Sequence, residues 1–411
     1  MDAEIIAVGS ELLTPFYLDT NSLFLTDRLN TLGIEVRFKA VVGDRAEDLG
    51  AVLKEALRRS RLVILTGGLG PTEDDITRQV VAETLGRSLR EDPEVRRQIQ
   101  ERLARFGRPM AENNLRQAML PEGGEWLENK HGTAPGIWIE HGHVLIVLLP
   151  GPPGELEAMF DAYCMPRLAT TSNGQRIKTR VYKVVGLPES EVDKRAAAVY
   201  KAYTNPSTTI LAKPGAIEIH LRARAQNEEQ ADALLAELGD QIELALGEYI
   251  FSTRGELLEE VVGMYLVMRQ KTLAVAESCS GGLLSERLTH NAGSSDFFLG
   301  GAICYSNLLK TKLAGVPAAL IEEHGAVSRP VAQAMAEGIR ARTGASIGVS
   351  ITGIAGPTGG TDKKPVGLVF IALSDERGTQ VREFRFPGSR ERVRLWSAQM
   401  ALEMIRRRIR G

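Results

Sequence analysis

Short apolar runs, each closed by a glycine or small polar residue and followed by a helical pattern, recur along most of this sequence. Ile5-Ile6-Ala7-Val8 stops at Gly9, and Asp19-Thr20-Asn21 offers caps for a helix carrying Leu23, Leu29 and Leu32. Val36 to Val42 is a second strand, and Asp44 with Glu47 resembles a capping box for a helix reaching Arg59. Leu62-Val63-Ile64-Leu65 is a third strand, running into Thr66-Gly67-Gly68-Leu69-Gly70-Pro71. Asp92, Pro93 and Gly107 mark the cap, first position and end of a further helix. Strands alternating with helices at this spacing predict an α/β layer fold with a mostly parallel sheet. A hairpin at His141-Gly142-His143 adds an antiparallel edge.

At roughly 150 residues per domain, 411 residues suggest two or three domains. A polar stretch, Thr170-Thr171-Ser172-Asn173-Gly174, is the expected first boundary, giving a domain over 1–170. A small α+β module over 175–253 follows, with strands at 177–185, 208–212, 216–225 and 249–251 and helices at 189–203 and 227–246. A second α/β domain spans 255–411, opened by the strand Thr272 to Ala276 and closed by a helix from about Arg390. The arginines of its last turns suit a helix C-terminus and a solvated face.

With 50 Lys and Arg against 52 Asp and Glu, the net charge of −2 argues against a general binder of nucleic acid or anionic membrane. The longest apolar run, Val144 to Leu149, is far shorter than the ~20 residues of a membrane span and fits a buried strand. Met1-Asp2-Ala3-Glu4 leads straight into a strand pattern, which predicts no signal peptide and a cytoplasmic protein. Cys164, Cys279 and Cys304 are too few and too far apart for a disulfide framework or a cysteine zinc site.

Two loops carry chemistry. In Gly67-Gly68-Leu69-Gly70-Pro71-Thr72-Glu73-Asp74-Asp75, glycines let the backbone approach an anionic ligand where open α/β sheets bind. Asp74 and Asp75 repel phosphate unless a hard divalent cation bridges them to it. A tight turn followed by acids at a helix start explains the same spacing equally well. In Ala276-Glu277-Ser278-Cys279-Ser280-Gly281-Gly282, a serine stands between a strand and the helix from about Leu283, whose N-terminus favours developing negative charge. A capping serine is the more frequent reason for such a residue. No histidine lies in a triad motif, and Lys310 and Lys312 follow the strand end Ile303-Cys304-Tyr305-Ser306-Asn307.

Val8-Gly9-Ser10-Glu11-Leu12-Leu13, Asp19-Thr20-Asn21, Gly67 to Asp75, Gly132-Thr133-Ala134-Pro135-Gly136 and Pro150-Gly151-Pro152-Pro153 resemble the N-terminal domain of CinA proteins, which is similar to the molybdopterin-binding fold. That resemblance implies a nucleotide-type phosphate site, which in some members hydrolyses ADP-ribose with a divalent metal of unspecified identity. It implies Gly67, Gly68, Gly70 and Thr72 as phosphate contacts, Glu11, Asp19 and Asn21 as pocket residues, and Asp74 or Asp75 as metal-linked.

Glu277-Ser278-x-Ser280-Gly281-Gly282, Tyr305-Ser306-Asn307-x-x-Lys310, His324 to Ser328, Ser350-x-Thr352-Gly353-Ile354-Ala355-Gly356-Pro357, Lys364-Pro365-Val366-Gly367 and Gly388-x-Arg390 resemble the CinA C-terminal domain, similar to nicotinamide mononucleotide deamidases. The family often has Thr where Ser280 stands. The resemblance implies a metal-free Ser/Lys amidohydrolase with Ser278 as nucleophile, Lys310 as base and Tyr305 as proton relay. Glu277, Ser280, Gly281, Gly282, Ser306, Asn307, Thr352, Gly353, Ala355, Gly356 and Arg390 would line its substrate site, with oxyanion donors near Ser280-Gly281. The middle module resembles a KH-like domain, but Gly186-Leu187-Pro188-Glu189 lacks a Gly-x-x-Gly clamp, so it reads as a spacer or dimerisation element rather than a nucleic-acid binder. The expected whole is a homodimer that binds nicotinamide mononucleotide and ADP-ribose and neither nucleic acid nor membrane. The alternatives are a non-catalytic pterin- or nucleotide-binding N-terminal domain, or a competence- or DNA-damage-associated interaction protein.

Overall fold

The computed structural model describes residues 1–171 and 174–410. Ser172 and Asn173, within the expected first boundary, lie outside the described residues. By compactness the chain divides into one unit of Met1–Lys178 with Arg222–Leu235, and another of Thr179–Leu221 with Ala236–Gly411.

The first unit is built on β1 (Asp2–Val8), β2 (Glu35–Val42), β3 (Leu62–Thr66), β4 (Leu89–Glu91), β5 (Met119–Pro121), β6 (Gly124–Leu127), β7 (Gly136–His141) and β8 (Val144–Leu149). Its main sheet has the order β2-β1-β3-β8-β7-β6, parallel from β2 to β8 and antiparallel through β7 and β6. β3, apolar up to its closing Thr66, and the wholly apolar β8 are buried throughout, as central strands covered on both faces must be. The parallel strands end at one edge, so the loops after Val8, Thr66 and Leu149 converge there, tied by the Gly67 N–H donating to the Leu149 carbonyl at 2.9 Å.

Helix starts follow local chemistry in one case and tertiary contacts in another. Asp92 caps the helix Pro93–Arg105 as expected, accepting from the Glu94 and Val95 N–H groups at 2.9 and 3.1 Å. Asp44 does not cap the helix Ala46–Arg59. Its carboxylate instead accepts from the Ser10 N–H at 2.8 Å, drawn to the unpaired amide of the loop after β1.

The middle module forms a four-stranded sheet in the order β10-β11-β9-β12, from β9 (Arg176–Val184), β10 (Ser207–Lys213), β11 (Ala216–Ala225) and β12 (Ile250–Ser252). Its helices are Glu189–Tyr200 and Glu228–Leu246.

The last domain carries β13 (Leu273–Glu277), β14 (Phe298–Ile303), β15 (Ile347–Gly353), β16 (Leu368–Asp375) and β17 (Gly378–Arg385), in the order β14-β13-β15-β16-β17. β14, β13 and β15 are parallel, and β16 and β17 antiparallel. The closing helix Arg390–Arg410 buries Val393, Ala401 and Ile405 in the main core of this domain. Its terminal arginines are a solvated face only in part: Arg410 is exposed, whereas others are drawn inward, contrary to expectation. Arg406 is fully enclosed, pairing with Glu403 at 2.7 Å, and Arg408 pairs with the buried Asp375. The cause is acids on the helix itself and at the end of β16, which a helical wheel does not display. Among the described residues no helix is long and apolar enough to cross a membrane.

Candidate active sites

Ser278 follows the last residue of β13, the strand flanked by β14 and β15. Its N–H donates to the Ile351 carbonyl at 2.9 Å, and the Cys304 N–H donates to the Glu277 carbonyl at 2.6 Å, so the serine is pinned from both neighbours. Gly281 and Gly282 follow with φ of 62° and 95°, a left-handed pair that turns the chain sharply into the helix Leu283–His290. Lys310 sits on the helix Asn307–Ala314, which follows β14 and is capped by the Ser306 hydroxyl.

Lys310 Nζ lies 3.0 Å from Ser278 Oγ, 2.9 Å from the Cys304 carbonyl oxygen and 3.3 Å from that of Tyr305. Lys310 is 2% exposed and Ser278 7%. Burial lowers the Lys310 pKa from its usual value, because a charged amine loses its hydration there. A neutral amine in this setting donates its two N–H bonds to the carbonyls and leaves its lone pair for the Ser278 proton. Lys312, the other lysine on this helix, makes no such contact among the described residues.

The surroundings correct several expectations. Glu277 is fully buried, and its carboxylate accepts from the N–H groups of Gly282, Leu284 and Ser285 at 2.8 to 3.1 Å and from the Ser285 hydroxyl at 2.7 Å. It holds the turn, with both carboxylate oxygens engaged there. The helix N-terminus expected to stabilise a developing oxyanion is therefore already occupied by this side chain. The Gly281 N–H is also engaged, with the Ser278 carbonyl at 3.1 Å. Thr352 is buried beneath the site with its hydroxyl on the Ala326 carbonyl at 2.9 Å. Ser280 is fully buried, and its hydroxyl has no partner among the described residues. Cys279 is buried, and burial pushes its thiol up to about 12, which disfavours the thiolate a nucleophile requires.

Arg390 joins the pieces that remain. It donates to the Gly356 carbonyl and to the Tyr305 hydroxyl, each at 2.9 Å, linking the Gly353-Ala355-Gly356 loop to the exposed Tyr305. Asn307 opens its helix in an exposed position. Arg394, which no motif announced, donates to the Ser280 carbonyl at 3.0 Å and steadies the serine turn.

In the first domain, Glu11, Gly67, Gly68, Gly70, Thr72, Asp74 and Asp75 do come together, around a cavity of about 320 Å³ at the strand ends. Asp19 and Asn21 do not line it. Asp19 accepts from the Ser22 N–H at 2.9 Å, and Asn21 supports the wall by donating to the Gly151 carbonyl at 2.8 Å. A Cβ on Gly67 would strike the Val8 carbonyl, and one on Gly68 the Thr77 hydroxyl, so these glycines serve close packing of the loop. The Asp75 carboxylate accepts from the Gly70 and Thr72 N–H groups, both at 2.8 Å. Those amides are thus not free for phosphate, and Asp75 is a brace. Arg78, unanticipated from the sequence, is buried below the loop and donates to the Leu69 and Gly70 carbonyls; burial lowers its pKa to about 10.

Among the described residues, no three His, Cys, Asp or Glu side chains gather as a metal cage. The exposed Asp74, its pKa lowered by a hydrogen bond from the Thr72 hydroxyl, shares the cavity wall with Glu11 and Asp44. No Lys or Arg lines this cavity. Such a donor set fits a hard cation held partly by water and substrate oxygens, as Mg²⁺ commonly is.

An α/β chain with a glycine-loop pocket in one domain and a buried Ser/Lys pair in another is a two-site CinA-type protein. Family models match in that order: "Probable molybdopterin binding domain" over 4–170, "Damage-inducible protein CinA KH domain" over 179–252, and "CinA C-terminal domain" over 255–409. The chain is 52% identical to a CinA-like protein of Koribacter versatilis (strain Ellin345), covering 100% of both chains. It is 51% identical to one of Solibacter usitatus (strain Ellin6076), covering 100% of this chain and 99% of the other. A crystal structure of CinA from Thermoplasma acidophilum, titled as of unknown function, is 34% identical, covers 41% of this chain and 97% of its own, and has a TM-score of 0.38. The chain belongs to the CinA family.

Proposed function

We propose that the C-terminal domain is a Ser/Lys amidohydrolase that converts nicotinamide mononucleotide and water to nicotinate mononucleotide and ammonia. The observation carrying this reading is the buried Lys310 amine 3.0 Å from the Ser278 hydroxyl. As Ser278 Oγ attacks the carboxamide carbon, Lys310 takes the hydroxyl proton, and its new charge is stabilised by the Cys304 and Tyr305 carbonyls. The ammonium then protonates the amide nitrogen, the C–N bond breaks and ammonia leaves an ester on Ser278. Water attacks the ester, giving its proton to Lys310, which returns it to Ser278 Oγ as the carboxylate departs. Ser280, with its unpartnered hydroxyl, is the side chain of the turn free to donate to the oxyanion.

Ammonia release from nicotinamide mononucleotide tests this reading. Ser278→Ala and Lys310→Arg should each lower kcat by at least about 10³-fold, since arginine stays protonated and cannot act as base. An active Lys310→Arg variant overturns the neutral-amine mechanism.

For the N-terminal domain we propose divalent-cation-dependent hydrolysis of the ADP-ribose diphosphate. The support is a cavity at a glycine loop lined by acids without a basic residue, which admits a diphosphate only with a cation. Bound there, the cation supplies charge neutralisation and a more electrophilic phosphorus. Asp74 would hold it, with Asp75 and Arg78 keeping the loop in shape. Release of AMP from ADP-ribose, dependent on Mg²⁺ or Mn²⁺ and lost in Asp74→Ala, is the expected outcome. Tight binding without turnover would leave a nucleotide-binding module instead.

A further inference from the structure

A second cavity, of about 420 Å³, adjoins the glycine-loop pocket, and Thr133 lines both. We propose that it is the compartment for the nucleoside monophosphate end of the diphosphate substrate, with Arg102, Arg105 and Lys130 attracting the phosphate and Trp126 offering a face to the base. This rests on the pyrophosphatase reading and extends it to the residues that hold the nucleotide half of the substrate.

The charge balance of the two cavities is opposite. Glu11, Asp44, Asp74, Asp75 and Glu155 line the first without a base. The second has Arg97, Arg102, Arg105 and Lys130 against Glu101 and Glu128. Arg97 is neutralised by Glu94 and Glu101, each at 2.6 Å, and Glu128 is engaged by the Tyr163 hydroxyl at 2.8 Å. Arg105 and Lys130 make no ion pair among the described residues. They come from separate segments, so a single solvated helix face does not account for them. Arg102 is aimed by its own contacts, donating to the Lys130 carbonyl at 2.7 Å and the Asn129 carbonyl at 3.2 Å, which leaves part of its guanidinium free.

The wall between the compartments is preformed. Asn129 accepts from the His131 and Gly132 N–H groups at 2.9 and 2.7 Å and donates to the Ala134 carbonyl at 2.8 Å and to Glu155 at 2.7 Å. A molecule lying across Thr133 therefore meets acids at one end and bases with an aromatic ring at the other. A diphosphate whose one half enters the cation-requiring pocket, and whose other half ends in a base, matches that asymmetry.

Tryptophan fluorescence of the full chain titrated with AMP, in chelator, reads the second compartment alone. Saturable quenching is expected, absent in Trp126→Phe, with Kd raised at least tenfold in Arg105→Glu/Lys130→Glu. The same double variant should raise KM for ADP-ribose about tenfold in Mg²⁺. No quenching, or quenching indifferent to charge reversal, overturns the compartment; if hydrolysis then persists with KM unchanged, the pyrophosphatase reading survives. Charge-sensitive AMP binding with no hydrolysis under any divalent ion overturns the pyrophosphatase reading and retains a nucleotide monophosphate site.

Discussion

Lys310 has three polar neighbours and one of them is a hydroxyl, which makes its protonation state the central variable at the residue scale. The folded pKa is lowered, so the native state binds fewer protons than the unfolded state between that pKa and the ordinary lysine value of 10.5. Stability must then rise with pH through this window, and the cost of a buried charge is largest below it. A Lys310→Met variant should remove that slope, and thermal denaturation of both proteins across pH 6 to 10 checks it; a wild-type Tm with the same pH dependence as the variant would refute it. If the proposed amidohydrolase reading holds, kcat/KM for ammonia release should rise over the same limb as the amine loses its proton. The residues alone left Lys310 and Lys312 equivalent, and the family resemblance pointed to the former. Arg78 and Arg394 escaped notice because their partners are backbone carbonyls, which no side-chain motif records.

Elements were more legible than their caps. The strand and helix pattern on either side of Gly67 and Ser278 follows from apolar periodicity, and Asp92 marks its helix by local chemistry. Asp44 and Glu277 were misread for one reason: their partners are set by which amides the fold leaves unpaired. Glu277 satisfies three N–H groups at the start of the helix Leu283–His290, so Glu277→Ala leaves them buried and unpaired. The expected loss is about 3 kcal/mol in urea denaturation, since hydrogen bonds to charged groups contribute about 1.5–3 kcal/mol each and partial rehydration offsets some. Glu277→Gln should recover roughly half of the stability. Recovery of full deamidase activity by Glu277→Ala would show that the carboxylate does not organise the serine turn.

At the scale of the whole molecule, the two chemistries draw on different residues and different demands. On the proposed readings, the acid-lined cavity needs a cation to accept a diphosphate, whereas the Ser278–Lys310 pair moves its protons with side chains alone. Chelator added to the full chain should stop AMP release from ADP-ribose and leave ammonia release from nicotinamide mononucleotide within about twofold, while Ser278→Ala should do the reverse. Loss of both reactions in chelator would contradict this division. The architecture was readable because each domain repeats the strand-loop-helix grammar. The opposed charge of the adjoining cavities was not, since it depends on the helix Pro93–Arg105 meeting the 126–135 segment.

Ser278 appears early in its domain, yet Arg390 and Arg394, which steady the site's rim and the serine turn, stand on the closing helix. During synthesis a ribosome-bound chain therefore carries Ser278 and Lys310 long before those guanidinium groups have emerged. Under the proposed amidohydrolase reading, amide-cleaving competence becomes a late event in the life of each molecule, withheld from prematurely terminated products.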